Sequence, residues 1–162
     1  MKKGFTLIEL LIVIAIISIL TSITVAQFIT AKKKASDVSR KSDLNGISKA
    51  LQMYFVDYGV MPNANADGRI EIVSGSPISW GGEFVDSNGY IYMKVLPKEN
   101  NTTMPAYCYK TDTDKKKFAI FAQLENTSDK ECEGHSYLCN GKTYCFAYVS
   151  PNTSLNAAGD LL

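Results

Sequence analysis

The stretch that decides the fold lies at the front of the chain, where residues 5–28 read FTLIELLIVIAIISILTSITVAQF. Glu9 is the only ionisable side chain in it, and the other residues are apolar or small and uncharged. At about 1.5 Å per residue, a helix of this length crosses a hydrocarbon layer of about 30 Å. The pattern therefore predicts a helix that can span a membrane, with a single acid near its start.

The helical pattern continues beyond this run, because no proline occurs before Pro62. Apolar residues recur at helical spacing up to Tyr58, with polar and charged residues on most of the other positions. The stripe consists of Leu44, Ile47, Leu51, Tyr54 and Tyr58, widened by Ala50 and Phe55. This pattern is typical of an amphipathic helix packed on a globular domain, and Gly59 suits its C-terminal cap. We therefore predict one continuous helix over Phe5–Tyr58.

The remainder of the chain has the pattern of loops and strands. Residues 59–89 are rich in Gly, Pro, Asn and Ser and predict a loop, with one short strand over 70–73. Another extended element is predicted over 90–95. Three further strands, over 106–111, 117–124 and 143–149, are expected to cover the amphipathic helix as an antiparallel sheet. The predicted fold is α+β, with the apolar half of the helix protruding and its amphipathic half packed on a small sheet.

The four cysteines follow the apolar segment and are even in number, which suits two disulfides in an oxidising compartment. A zinc site is the competing interpretation, but structural zinc sites usually contain pairs at C-x(2–4)-C spacing, and the gaps here are wider. Four cysteines permit three pairings, and the sequence does not choose among them. They are Cys108, Cys132, Cys139 and Cys145.

Composition and motifs argue against an enzyme or a nucleic-acid-binding protein. The 17 basic and 16 acidic side chains nearly cancel, so no global field attracts nucleic acid. The single histidine, His135, lies in a loop between two cysteines, and the chain has no P-loop, GxGxxG or HExxH motif. Two acidic stretches, Asp112-x-Asp114 and residues 126–131, are oxygen-rich but do not match an EF-hand, so we interpret them as turns. We therefore predict no catalytic residue, metal or cofactor.

Residues 2–11, KKGFTLIELL, resemble the leader and helix start of type IV prepilins and type II secretion pseudopilins. The resemblance is specific over about residues 2–30 and architectural beyond them. It implies that a prepilin peptidase cleaves between Gly4 and Phe5 and that the new amine of Phe5 is methylated. The implied segments are a leader over 1–4, a transmembrane and filament-core helix over 5–28 and a globular head over 29–162. Within that head, the resemblance implies a helix half over about 29–58, a variable loop over about 59–89, and a sheet with a disulfide-bounded C-terminal region over about 90–162.

Glu9 is expensive to keep within a membrane helix, since a charged side chain in hydrocarbon costs about 3 kcal/mol on insertion scales. The nearest candidate cation is the amine of Phe5, which cleavage would create. Pairing within one chain is possible because residues four apart on a helix are neighbours. The family assigns Glu9 a pairing with the amine of an adjacent subunit, which would fix the register during assembly. An acid placed near the membrane surface by chance is the simpler alternative.

The expected function is that of a structural subunit, major or minor, of a type IV pilus-like extracellular filament. A type II secretion pseudopilin or a competence pilin is the first alternative, and a membrane-anchored adhesin that never polymerises is the second. The sole tryptophan, Trp80, lacks the preceding proline of the Pro-Trp-Gly segment found in many pseudopilins, which favours the pilus subunit. The expected partners are identical or related subunits, the peptidase, the assembly machinery and, before assembly, the inner membrane.

Charge does not settle the orientation in the membrane. Lys2 and Lys3 precede the apolar run, whereas Lys32–Lys34, Arg40 and Lys41 follow it, so counting basic residues would place the C-terminal flank inside the cell. The cysteines and the leader resemblance place that flank outside. We favour the second orientation because the positive-inside tendency is statistical, whereas the leader would be read by a dedicated peptidase.

Overall fold

One long helix, α1, spans Leu7–Tyr58 in the computed structural model, which describes residues 4–162 apart from the side chain of Ala26. The prediction of a single unbroken helix is confirmed, with a start two residues later than expected. By length and composition this helix could cross a membrane. It ends where predicted: Gly59 has a φ of 69° and its N–H donates to the carbonyl oxygen of Phe55 at 2.8 Å, as in a C-terminal cap. Lys2 and Lys3 of the predicted leader lie outside the described residues.

Contacts divide the chain into two compact units, one ending at Ser36 and the other beginning at Asp37. The described part of the first unit contains only the start of α1 and the residues before it. Its large apolar side chains between Leu7 and Ile29 are 43% to 81% exposed. A continuous apolar surface of this kind marks a site that lipid or protein covers.

The second unit is built around the apolar stripe of α1, as the spacing predicted. Leu44, Ile47, Leu51 and Tyr54 are all buried in its main hydrophobic cluster. Gly46 faces Met93 of a neighbouring strand, and a Cβ added there would lie 3.5 Å from its terminal methyl group, which is an ordinary van der Waals contact. The buried face of α1 extends further toward the N-terminus than the apolar stripe predicted, because it includes two charged residues. Asp37 and Arg40 are 2% and 4% exposed.

Ten short strands form four antiparallel sheets in the described part of the chain. The strands are β1 Asn63–Ala64, β2 Ile70–Val73, β3 Ser76–Pro77, β4 Phe84–Val85, β5 Ile91–Met93, β6 Cys108–Thr111, β7 Phe118–Ala122, β8 Tyr137–Cys139, β9 Lys142–Tyr144 and β10 Phe146–Val149. The sheet orders are β1-β2-β3, β10-β7-β6, β4-β5 and β8-β9. The long helix with small antiparallel sheets confirms the predicted α+β class. Between residues 59 and 89, where only β2 was predicted, β1, β3 and β4 are also present.

The predicted strand over 143–149 is wrong in one respect, because it is interrupted at Cys145. Tyr144 belongs to β9 and lies in a second hydrophobic cluster, whereas Phe146 and Tyr148 of β10 face the main cluster. Strict alternation along one strand over 143–149 would place all three rings on one side. Cys145 forms a disulfide with Cys132, and the chain changes from one strand to the next at this residue.

The central strand β7 separates the two hydrophobic clusters and is buried along its whole length. Phe118 and Ile120 face the main cluster and α1, while Phe121 faces the second cluster with Tyr144. The strand pairs with β10 on one edge and β6 on the other, in register Tyr148↔Ile120 and Tyr109↔Ile120. Burial on both faces explains why both alternating sets of this strand are apolar.

Candidate assembly site

The helix start is organised by a reciprocal pair of side chains, Thr6 and Glu9. The Thr6 N–H and hydroxyl donate to Oε2 of Glu9 at 2.8 and 2.6 Å, and the Glu9 N–H donates to the Thr6 hydroxyl oxygen at 3.3 Å. This is a capping box, in which the N-cap residue and the third helical residue satisfy each other's free backbone N–H groups. Glu9 is a site residue predicted from the sequence, whereas Thr6 is not. The T-x-x-E spacing over residues 6–9 was the signal that would have identified it.

The capping box leaves Glu9 able to bind a further donor. Both described hydrogen bonds to the carboxylate end on Oε2, and no described residue donates to Oε1. Glu9 lies on the surface of the isolated chain, in the first turn of α1. A carboxylate in this position, held by its own backbone, can accept an amine brought by another molecule without first breaking a bond.

The predicted cleavage position lies directly before this capping box. Gly4 and Phe5 precede the helix and are exposed, and a Cβ built on Gly4 would meet no atom within 4 Å. The peptide bond between them is therefore accessible in the isolated chain. Cleavage there would leave Thr6 and Glu9 intact as the cap of the new N-terminal helix.

Four hydroxyl side chains in the apolar part of α1 are satisfied within the helix. Each donates to a backbone carbonyl oxygen of the preceding turn at 2.7 to 2.9 Å, so none requires water. This arrangement suits a helix in hydrocarbon, where an unpaired polar group is costly. The pairs are Ser18 to Ile14, Thr21 to Ile17, Ser22 to Ile19 and Thr24 to Leu20.

A buried charge cluster connects α1 to two loops of the second unit. The guanidinium of Arg40 binds Glu99 through Nε at 2.6 Å and Nη2 at 3.1 Å, Asp37 through Nη1 at 2.8 Å, and Glu125 through Nη2 at 2.8 Å. Asp37 also accepts the N–H groups of Glu125 and Asn126, both at 2.8 Å. The Arg40, Asp37 and Glu99 side chains are only 5%, 3% and 7% exposed. One cation thus holds three carboxylates from separate parts of the chain.

The acidic stretches that the sequence analysis interpreted as turns are occupied by protein donors. Asp129 accepts Nζ of Lys41 at 2.8 Å, and the same amine pairs with Glu131. Asp112 accepts the N–H groups of Lys116 and Lys117 at 2.7 and 2.8 Å, which is the geometry of a turn. In both stretches, carboxylate oxygens of the kind that bind cations already accept hydrogen bonds from nitrogen.

The structure contains one of the three disulfide pairings that the sequence left open. Cys108 of β6 binds Cys139 of β8, and Cys132 binds Cys145 beside β10. The second bridge links the loop after β7 to the last strand. Bridges that close loops of this kind typically stabilise a small domain by a few kcal/mol. His135, between the two bridged segments, is exposed and contacts the hydroxyl of Tyr137 through Nδ1 at 3.1 Å.

We expect the second unit to lose stability in acid. Burial opposes ionisation of Glu99, but hydrogen bonds from Arg40 and the Asn101 N–H outweigh it and hold the pKa of Glu99 below its usual value. The Lys41 amine likewise lowers the pKa of Asp129. A carboxyl whose pKa is lower in the folded than in the unfolded chain contributes stability above its unfolded pKa, near 4, and loses it as pH falls through the folded value. The free energy of unfolding in urea should therefore fall from about pH 5 downward.

The matched control for this pH dependence is Glu99→Gln, which carries no charge at any pH and should show a shallower decline. A free energy of unfolding that stays constant or increases between pH 6 and pH 3 would contradict the expectation. Urea titrations at fixed pH values, with the fluorescence of Trp80 as the signal, would give both curves.

Comparison with known proteins identifies the N-terminal region most clearly. Residues 1–25 match the family described as "Prokaryotic N-terminal methylation motif". The chain is 49% identical to the type IV wide pilus major component PilA4 of Thermus thermophilus over 55 residues, which is 34% of this chain and 42% of that protein. It is 30% identical to the type II secretion system core protein G of Klebsiella michiganensis over 98 residues, 60% of this chain and 67% of the relative.

A third relative covers more of the chain at lower identity. The type IV major pilin protein PilE1 of Neisseria gonorrhoeae is 29% identical over 136 residues, 80% of this chain and 74% of that protein. The chain spans less than two thirds of the length of three of its relatives, PilA4 among them. The shares lie between 42% and 64%. No solved structure gives a significant match.

Proposed function

Because this chain belongs to the type IV pilin and type II secretion pseudopilin family, we propose that it is a structural subunit of a type IV pilus-like extracellular filament. The observation that carries the proposal is the apolar surface of α1 up to Ile29, whose large side chains are 43% to 81% exposed in the isolated chain. Lipid covers this surface before assembly, and the same surface of neighbouring subunits covers it in the filament. The relatives named above are pilins and a secretion core protein, which supports a structural and non-enzymatic role.

The proposed route begins in the inner membrane, where α1 anchors the precursor with its second unit outside the cytoplasm. A prepilin peptidase removes residues 1–4 and methylates the amine of Phe5. Glu9 then pairs with the amine of an adjacent subunit through its remaining acceptor, and the assembly machinery extracts the helix. Exchange of lipid for protein around the same apolar residues changes the buried area little, so the net free energy per subunit is small and a motor is needed.

A type II secretion pseudopilin is the second candidate, and its support is the similarity to core protein G. The chain is 33% identical over 98 residues to core protein G of Vibrio cholerae. The pilus subunit is favoured because PilE1 matches 80% of the chain. Electron microscopy separates the two, since a pilus subunit is recovered in long surface filaments and a pseudopilin is confined to short assemblies that do not leave the cell. A competence pilin would instead be revealed by loss of DNA uptake on deletion of the gene.

The experiment that tests the proposal is mass spectrometry of the N-terminus in filaments sheared from cells. We expect the mature chain to begin at Phe5 with a methylated amine. Gly4→Leu is the sharp variant, because a branched side chain directly before the proposed cleavage bond should block the peptidase. A Cβ added at Gly4 meets no atom within 4 Å, so the fold should not be disturbed. The uncleaved precursor should then accumulate in the membrane fraction, and filament yield should fall at least tenfold.

A retained Met1 in the membrane fraction of the wild type, with no sheared filaments, would contradict the proposal. That result would favour the membrane-anchored adhesin, which needs neither cleavage nor Glu9. Gly75→Leu is not a suitable control, because Gly75 has a φ of 81°, at which leucine would strain the backbone. Ser39→Leu, at an exposed helical position, is a suitable control because it adds the same side chain away from the cleavage position.

A further inference from the structure

Three consecutive lysines, Lys32, Lys33 and Lys34, follow the apolar run of α1 and are exposed. We call them the lysine collar. Glu9 is the only carboxylate in the helix before Asp37, and it lies at the opposite end of the apolar run. In the described part of the first unit, the collar therefore has no acid within reach of a lysine side chain. The next acid along α1, Asp37, is 2% exposed and already paired with Arg40, so the three exposed lysine side chains are open to a partner from outside the chain.

The angular distribution of the collar indicates what kind of partner that is. Successive residues of an α-helix are about 100° apart around the axis, so no direction around α1 at this level is more than about 80° from one of the three lysines. The neighbouring residues Ala31 and Ala35 are small and do not obstruct them. A protein partner on one side could satisfy only part of such a ring. A ring of positive charge fits a surrounding that is negative in every direction, as a layer of anionic head groups is.

The axial position of the collar points to the same surrounding. No residue between Leu10 and Ala31 is charged, and at about 1.5 Å per residue this run is about 33 Å long. That length matches the hydrocarbon core of a bilayer, about 30 Å. Glu9 and the collar then lie at the two opposite boundaries, and the lysine amines can extend to the phosphate level.

We propose that the lysine collar binds anionic phospholipid head groups and fixes the depth of the helix while the subunit waits in the membrane. The inference rests on the proposed function, in which α1 spans the bilayer before assembly. It adds a binding role for three residues that neither the leader nor the capping box involves. Extraction into a filament then requires the collar to leave its phosphates, so the lipid composition of the membrane affects how readily a subunit is released.

The test measures which lipids surround the proposed mature chain, which begins at Phe5, in a bilayer. The protein, with residues 1–4 removed, is reconstituted into phosphatidylcholine vesicles that contain spin-labelled phosphatidylglycerol or spin-labelled phosphatidylcholine. The motionally restricted fraction of each label gives the relative association constant for the two head groups. We expect a preference for phosphatidylglycerol of about fivefold per head group, because each head group pairs with one lysine, and one lysine near an anionic surface contributes about 1 kcal/mol.

The variant Lys32→Gln/Lys33→Gln/Lys34→Gln should reduce this preference to about one. A matched control exists in the chain: Lys115, Lys116 and Lys117 form a second run of three lysines, in the turn between β6 and β7. Replacing those three with glutamine removes the same charge and should leave the preference unchanged. Raising the salt to about 1 M should weaken the wild-type preference, since charges at a surface are screened.

The outcomes separate this inference from its premise. A restricted fraction of equal size for both labels would overturn the lysine collar while leaving the membrane-spanning helix in place. A preference that persists in the collar variant, or that disappears in the control, would also overturn it. If neither label shows a restricted fraction, then α1 does not span the bilayer, and the inference fails together with the membrane step of the proposed function.

Discussion

The Glu9→Leu variant is expected to insert into the membrane and lose its leader normally while producing at least tenfold fewer filaments. The physical reason is that a carboxylate in an apolar setting forms a charge-assisted hydrogen bond with an amine, worth about 1.5 to 3 kcal/mol, and leucine leaves the incoming amine unpaired. Insertion should not suffer, because removing a charge from the apolar run lowers the cost of entering hydrocarbon. Filament yield is measured by shearing and quantitative immunoblotting, and insertion by resistance to carbonate extraction.

Two control variants separate the charge of Glu9 from its role in the capping box. Glu9→Gln keeps a side-chain oxygen for the Thr6 N–H and removes the charge, so it should fail to assemble as Glu9→Leu does. Thr6→Val removes the capping hydroxyl and keeps the charge, and the expected cost is about 1 kcal/mol in helix stability with filaments still formed. Normal filament yield from Glu9→Leu would remove the proposed role. Normal yield from Glu9→Gln with failure of Thr6→Val would show that capping is what assembly needs.

The second large effect is expected from Arg40→Met, which should destabilise the globular unit by about 3 to 5 kcal/mol. Arg40 binds Asp37, Glu99 and Glu125, and its removal takes the cation from Asp37 and Glu99, whose side chains are only 3% and 7% exposed. The methionine roughly preserves the volume of the side chain, so lost packing is not the main cost. The free energy of unfolding in urea, followed by Trp80 fluorescence on the oxidised full-length chain in detergent, measures the effect.

Lys41→Met is the matched control, because it removes one positive charge from the adjacent residue. Lys41 also pairs with two carboxylates, Asp129 and Glu131, but its side chain is 25% exposed and that of Glu131 is 60% exposed. Pairs open to water contribute little, so the expected loss is about 1 kcal/mol or less. Equal losses from the two variants, or a loss below about 1 kcal/mol from Arg40→Met, would contradict the conclusion that burial makes the Arg40 cluster important.

The charge cluster shows why part of the globular unit escaped prediction. Asp37 and Arg40 continue the spacing of the stripe toward the N-terminus, since Arg40 lies four residues before Leu44 and Asp37 three residues before Arg40. Their charge nevertheless indicated a solvated face, because charged residues are rarely buried unless paired. The partners Glu99 and Glu125 lie 59 and 85 residues from Arg40 along the chain. No local pattern could have connected them.

The strand pattern shows a related limit in the last part of the chain. Alternation predicted the strands β6, β7 and β10 correctly, because each has apolar residues at the spacing of a pleated strand. It failed at Cys145, where a disulfide to Cys132 accompanies a break between two strands and sends Tyr144 to a different cluster from Phe146. Alternation describes one continuous strand and carries no information on where a covalent bond interrupts it.

By itself, the sequence determined the features that depend on neighbours along the chain. These are the apolar run with Glu9 near its start, the unbroken helix to Tyr58 and its cap at Gly59, all of which follow from spacing of a few residues. Only the tertiary structure decided the disulfide pairing, the burial of Arg40 among three carboxylates and the division of the rings between two clusters. Each of these depends on residues far apart in the chain, whose proximity results from packing of the whole unit rather than from any local preference.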